Sequence, residues 1–175
     1  MNFADRYAPA TRASNLGSKP DTTSSPSDVL GAAGLAAKRV PLGIALMRLL
    51  SGDNHAIRPI VEMLAGMAWD RARRDGVKLR RTQAEDMAQT VLDWCRDGRC
   101  RRCGGHGFKL IPGAPALSEH PCPSCQGGKV RFDRLFAMER LGVAWWLREQ
   151  IERDMAMAGP EAMKALAERM TLPGA

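Results

Sequence analysis

The sequence predicts a mainly α-helical protein whose run of helices is interrupted by one loop-like insertion, residues 99–131. Apolar residues recur at helical spacing through most of the chain from residue 28 onward. The insertion is instead rich in glycine and proline, and it has too few apolar side chains to build a core of its own. No strand pattern accompanies it. We therefore expect helical parts at residues 28–98 and 132–175, on either side of the insertion.

The size and composition are those of one modest domain in water. The chain has 175 residues, of which 45% are hydrophobic and 26% charged. Its longest apolar runs are too short for a membrane span, and the first residues lack the pattern of a secretory signal. We therefore expect a protein of the reducing cytoplasm, without a membrane partner.

Composition, capping residues, proline and glycine set the boundaries of the first elements. Residues 1–27 are rich in Ser, Thr and Pro without periodic apolar positions, which predicts a disordered arm. A helix then begins at Ser27 or Asp28 as its cap, and Pro41 opens a second helix that Gly52 ends.

The later helices have clearer boundaries. Pro59 is tolerated only in a first turn, so the third helix is expected to start near Ile57 and to stop at Gly76. The fourth, residues 82–97, is predicted to begin with a Thr82–Glu85 capping box and to bury Cys95 on its apolar face. After the insertion a helix over 132–158 is expected to break at Gly159–Pro160, before a short terminal helix.

Four of the five cysteines form two C-x-x-C doublets separated by 18 residues. A disulfide scaffold conflicts with a reducing compartment, and a redox centre would use a single doublet beside a sheet. Two doublets suit a tetrahedral zinc ion, which also explains how a segment without a core can be ordered. The predicted ligands of one structural Zn²⁺ are Cys100, Cys103, Cys122 and Cys125.

His106 or His120 is an alternative ligand, although both doublets are already complete. Four sulfur ligands leave no open position for water, so the site is not hydrolytic. No nucleophile–base pair, phosphate-binding glycine loop or paired acidic motif occurs elsewhere. We therefore expect neither an enzyme nor a small-molecule substrate.

Positive charge is concentrated around the cysteines. The net charge is +7, and residues 96–134 hold eight basic against three acidic side chains. Localised charge of this kind favours a polyanion partner. Closing a metal site would bring together the cations at the two ends of the insertion. These are Arg99, Arg101, Arg102, Lys129 and Arg131, followed in sequence by Arg134.

A second basic cluster lies at residues 71–81. Its pattern fits a solvated helix face as well as a nucleic-acid surface, and acidic residues such as Asp75 and Glu85 dilute it. Between the two clusters, we expect the cysteine segment to be the one that binds DNA.

The stretch "CRRCGGHG" matches the C-x-x-C-x-G-x-G repeat in the zinc domain of DnaJ-type chaperones. Those chaperones carry four such repeats, two zinc sites and a J-domain with a His-Pro-Asp motif. This chain has one full repeat, the partial repeat "CPSCQGGK" and no "HPD". A DnaJ-like protein-interaction module is therefore the weakest of the alternatives.

The order of segments over residues 28–145 resembles the lambdoid-phage antitermination protein Q family. "DVLGAAGLAAKRVPLGIALM" is similar to its Ala/Gly/Met-rich helical half, and "VLDWCRDGRCRRCGGHG" to a helix running into the first doublet. "CPSCQGG" and "RFDRLFAMERLG" are similar to its second doublet and following helix. The chain departs from the pattern at Lys129, where the family has glycine, and in a shorter C-terminal region.

The resemblance implies a helix-turn-helix-like unit interrupted by a zinc knuckle. It also implies a late-gene regulator in the cytoplasm of a bacterial host, which binds DNA near a promoter and engages paused RNA polymerase. The modified polymerase would then read through terminators. On this analogy the helix starting near Asp133 reads DNA, with Arg134 and Arg140 on its first turns. The alternative is a zinc-dependent DNA-binding regulator that does not stay on polymerase.

Overall fold

The computed structural model describes residues 3–13, 25–111, 113–114 and 116–171. Six α-helices lie in that part of the chain: α1 (Phe3–Thr11), α2 (Pro26–Ala36), α3 (Pro41–Leu50), α4 (Ile57–Arg74), α5 (Arg81–Arg96) and α6 (Met138–Thr171). Four short strands lie between α5 and α6: β1 (Phe108–Leu110), β2 (Leu117–Pro121), β3 (Cys125–Gln126) and β4 (Lys129–Val130). The prediction of a mainly helical protein is confirmed, whereas the insertion, expected to be loop-like without strands, contains these four short strands.

The chain divides into two compact units. Unit 1 comprises Met1–Met63 and Glu149–Ala175, and unit 2 comprises Leu64–Arg148. The division falls within α4 and α6, away from the boundaries at residues 98 and 131 that composition indicated. None of the described helices is long and apolar enough to cross a membrane.

Unit 1 is organised around small apolar residues on several helices. The α2 cap is Ser25 rather than the predicted Ser27 or Asp28: its side chain accepts from the Asp28 N–H at 3.2 Å, and its own N–H donates to the Asp28 carboxylate at 2.9 Å. The buried core of unit 1 includes Val29, Ala32, Ala33, Ile44, Met47, Ala162 and Leu166.

Helix α1 corrects the predicted disordered arm. Residues 3–11 are helical, with Tyr7 only 6% and Ala10 only 5% exposed in the core of unit 1. Two anchors within nine residues are too few for a periodic signal, so α1 depends on packing rather than on local propensity. Residues 14–24, which make up most of the remainder of that arm, lie outside the described part.

Helix α5 has the apolar face that its sequence predicts, with different ends. Ala84, Met87 and Val91 are buried as expected. The helix begins one residue earlier, where the Arg80 N–H donates to Gln83 Oε1 at 3.0 Å, so the predicted Thr82–Glu85 box does not form its start. The prediction of a buried Cys95 is wrong, because that residue lies in the last turn and is exposed.

Helix α6 corrects both predicted boundaries after the insertion. Residues 132–134 form a 3₁₀ turn, and the α-helix starts only at Met138. It then continues through Gly159 and Pro160 to Thr171. Ile151 before the proline and Leu166 after it are both buried, so packing on each side overrides the local helix breaker.

The crossing of α3 and α6 in unit 1 gives a stability prediction. A Cβ at Gly43 would run into the backbone carbonyl of Asp154, whereas a Cβ at Gly34 would meet nothing within 4 Å. We expect Gly43→Ala to destabilise the protein by about 1–3 kcal/mol through steric strain. Gly34→Ala should stabilise it by roughly 0.5–1 kcal/mol, because glycine is costly inside a helix. Urea unfolding followed by circular dichroism measures both, and a Gly43→Ala protein as stable as wild type would contradict the close approach.

Candidate metal centre

The two cysteine doublets converge into one cluster. All pairwise distances between the four sulfurs are within 4.8 Å, for Cys100, Cys103, Cys122 and Cys125. The sulfurs of Cys103 and Cys125 are 3.7 Å apart. Zinc–sulfur bonds of about 2.3 Å in a tetrahedron place sulfurs roughly 3.8 Å apart, so this spacing fits the ion. The four cysteines form one possible metal site, as predicted.

The histidine alternative finds no support in this cluster. His106 and His120 are exposed, and neither belongs to the metal-binding group found among the described residues. Cys100, Cys103 and Cys122 are in contrast at most 4% exposed. The donor set is therefore four sulfurs, which suits a soft-ligand tetrahedral metal with no open position.

The first doublet forms a tight knuckle. The Cys100 carbonyl accepts from the N–H groups of Cys103 at 3.3 Å and Gly105 at 3.2 Å. The Gly107 N–H points at the Cys103 sulfur, 3.4 Å away. Gly104 and Gly105 both have positive φ, at 63° and 92°, which a residue with a side chain rarely adopts. The glycines after the doublet thus allow the backbone to turn its amides toward sulfur.

The second doublet leads into a hairpin that the sequence analysis missed. Strand β3 begins at Cys125 and pairs with β4, Gln126 opposite Lys129. Gly127 and Gly128 connect them with φ of 59° and 90°, the two positive values that a two-residue hairpin turn of this kind requires. Two consecutive glycines between short segments were the available signal, although each strand has only two residues.

The two knuckles hold each other through their backbones. The Cys100 N–H donates to the Gly128 carbonyl at 2.7 Å, and the Cys122 N–H donates to the Gly107 carbonyl at 2.8 Å. A Cβ at Gly128 would run into the Gly105 carbonyl. Glycine at position 128 is therefore a packing requirement between the knuckles.

The insertion is anchored at its ends in unit 2. Arg99 and Lys129 form an isolated antiparallel β-bridge. The Val130 N–H donates to the Gly98 carbonyl at 2.8 Å. The indole N–H of Trp94 on α5 donates to the Val130 carbonyl at 2.9 Å. The expectation that the two ends of the insertion meet is confirmed for the backbone.

An aromatic cluster joins the insertion to the flanking helices. The buried ring of Phe132 lies 5.0 Å from Trp94 on α5, 4.6 Å from Trp145 on α6 and 5.2 Å from Phe136. Edge and tilted contacts at such distances are favourable for aromatic rings. Phe132, directly after the insertion, therefore contacts both helices.

The sulfurs have unequal affinities for protons. Burial raises the pKa of the Cys125 thiol to about 12, and the neighbouring cysteine sulfurs act in the same direction. Burial also raises the pKa of Cys103, but hydrogen bonds from the N–H groups of Gly107 and Gly105 and with the Cys125 and Cys100 sulfurs together outweigh it and bring that pKa to about 7. Metal binding must displace the remaining thiol protons, which couples it to proton release.

The predicted DNA-contacting residues fall into two groups by pairing. Arg99 forms an ion pair with Asp97 at 2.7 Å, and Arg131 with Asp133 at 2.8 Å. The hydrogen bonds from Arg99 lower the pKa of Asp97 to about 2. Both carboxylates offset part of the positive charge that the sequence places here.

The other predicted contacts have no carboxylate partner among the described residues. Arg102 donates to Ser124 Oγ at 3.0 Å, and the Lys129 ammonium lies 5.9 Å from the Trp94 ring centre. Arg101 is exposed. Arg134, expected on the first turns of a helix, lies in the 3₁₀ turn before α6, whereas Arg140 is in the first turn of α6.

No protein-family model matches the chain, and no curated protein is significantly similar to it. The metal site therefore rests on the geometry of four sulfurs and on the backbone that positions them.

The centre predicts about one zinc ion per chain. Cys122→Ser should lose that zinc and the order of residues 99–131, because few other buried groups hold the insertion together. Cys95→Ser removes an exposed thiol outside the cluster and should keep a full complement of zinc. Elemental analysis measures the metal, and amide exchange measures the order. Full zinc retention by Cys122→Ser would contradict the assignment.

Proposed function

We propose that this protein is a zinc-dependent, DNA-binding antitermination factor for phage late genes. One observation supports the proposal most: a four-cysteine centre holds a basic segment together between two helices, α5 and α6. The same order of helix, doublets and helix carries the resemblance to the antitermination protein Q family.

The charge of the segment favours a nucleic-acid partner. Zinc with four thiolates carries a net charge of about −2. Residues 96–134 hold eight basic and three acidic side chains, so the segment keeps a net charge of about +3 with the metal bound. A surface that stays positive around its own anionic centre suits contact with phosphates.

The flanking helices suit a helix-turn-helix-like reader. The rings of Trp94, Phe132 and Trp145 couple α5, the end of the insertion and α6. Arg140 lies in the first turn of α6, and in the proposed reader this residue would contact base edges or phosphates. In this proposal α6 enters the major groove while the zinc knuckle contacts the backbone.

The β1–β2 hairpin offers a surface for a protein partner. It exposes Phe108, Ile111 and Leu117, apolar side chains that are each at least 40% exposed. In an antitermination factor the partner would be bacterial RNA polymerase. The same exposure favours the second candidate, a DnaJ-like module that binds unfolded protein, and suppression of aggregation by the purified protein would test it.

Transcription through a terminator tests the function directly. Purified polymerase on a template with the cognate late promoter should read through a downstream terminator only when the protein is present. DNA binding without read-through would favour a regulator that does not stay on polymerase. Absence of both would contradict the proposal.

The knuckle residues give a specific prediction. Arg101→Ala combined with Arg102→Ala should weaken specific DNA binding by about 1–3 kcal/mol and flatten its salt dependence, because phosphate contacts are lost. Arg58→Ala is the control, since Arg58 is 89% exposed and lies on α4 outside the knuckle. Zinc content and circular dichroism confirm folding, and unchanged affinity in the double variant would place the DNA contacts elsewhere.

A further inference from the structure

The connection between α4 and α5 carries a cationic surface apart from the metal centre. Its members lie in the last turn of α4, in the connection and at the start of α5, and all are exposed. We call them the turn cluster: Arg73, Arg74, Lys78, Arg80 and Arg81. We propose that the turn cluster binds the phosphate backbone of nucleic acid, as a contact surface additional to the zinc knuckle.

The turn cluster keeps its charge unpaired. The neighbouring Arg71 is bound by Asp75 at 2.6 Å, and in the insertion Arg99 and Arg131 have aspartate partners. Among the described residues, no member of the turn cluster forms an ion pair with a carboxylate. Nearby carboxylates therefore hold none of its charged groups directly, although they still lower the net charge of the region.

Trp69 brings two of the arginines together. The guanidinium carbon of Arg73 lies 4.8 Å from the centre of the Trp69 ring, and that of Arg81 lies 5.4 Å away. A cation over an aromatic face is held in place while its in-plane N–H donors remain available. One ring thus positions guanidinium groups from two helices for phosphate oxygens.

The position of Arg80 and Arg81 is unfavourable for the helix itself. Cations stabilise the C-terminal end of a helix, which accounts for Arg73 and Arg74 on α4, but they oppose the dipole at the N-terminal end. Helix α5 has no acidic residue in its first turn. A bound polyanion would offset this repulsion.

The surroundings favour phosphate over a protein partner. Protein interfaces usually centre on exposed apolar or aromatic anchors. The large hydrophobic side chains exposed in the described structure include none from residues 70–96. A surface of unpaired guanidinium and ammonium groups without such an anchor suits DNA or RNA, whose backbones share the same chemistry.

This inference rests on the proposed function only in taking nucleic acid as a partner, and it does not require antitermination.

The test uses the full-length, zinc-loaded protein with two fluorescent probes of equal length, a duplex DNA of arbitrary sequence and a single-stranded RNA. Affinities are measured across a salt series. The variant is Arg73→Gln, Arg74→Gln and Arg81→Gln together. The control with the same loss of charge is Arg12→Gln, Arg58→Gln and Lys164→Gln, three exposed sites outside the cluster.

We expect the cluster variant to bind at least one probe on the order of tenfold more weakly. The slope of log affinity against log salt should fall by about 2–3, at roughly 0.9 per phosphate contact on DNA and less on a single strand. The control should change both quantities much less. The probe with the larger effect identifies which nucleic acid the cluster contacts.

Arg74→Glu gives the same readout if the triple variant misfolds, because the Arg74 side chain is exposed and forms no ion pair among the described residues. Wild-type affinity and slope in both cluster variants would overturn the inference, as would wild-type protein that binds neither probe at about 50 mM salt. If the cluster variants lost read-through while they kept wild-type nucleic-acid binding, that result would also overturn the inference and indicate a protein contact. Failure of the wild type to promote read-through, with this salt dependence present, would count only against antitermination.

Discussion

The convergence of four cysteine sulfurs within 4.8 Å is the constraint on which the insertion depends. Among the described residues of the insertion, a buried cluster consists of Cys100, Cys103 and Cys122 with Cys125 and Val130 packed against it, so hydrophobic burial supplies little order there. The backbone bonds from Cys100 to Gly128 and from Cys122 to Gly107 form only when both knuckles are in place. We therefore expect metal binding at this site to be coupled to the folding of the segment.

Aromatic ring contacts connect this segment to the flanking helices α5 and α6. Trp94 donates to Val130 at the end of the insertion, and Phe132 contacts Trp94 and Trp145. A change in the zinc module would therefore be transmitted to the start of α6. If α6 reads DNA as we propose, the zinc ion acts on recognition by positioning this helix as well as by ordering the knuckle that contacts the DNA backbone.

The pairing of charges distinguishes two kinds of basic residue in unit 2. Arg99 and Arg131 are held by aspartates two residues away in sequence, beside a centre that is itself anionic with zinc bound. Arg73 and Arg81 are held by the ring of Trp69, which leaves their charge available. Residues with similar sequence contexts thus differ in what they can offer a polyanion, and formal charge counts do not reveal this difference.

The sequence by itself determined the features that depend on local spacing. The two doublets identify all four candidate ligands, and helical periodicity identifies the buried face of α5, including Ala84 and Val91. Tertiary structure decided the rest, because long-range packing can override a local signal. It orders α1 through Tyr7, carries α6 past Pro160 and leaves Cys95 exposed. The ion pairs of Arg99 and Arg131 and the cations around Trp69 also required coordinates, since side-chain pairing depends on the direction of each side chain in space.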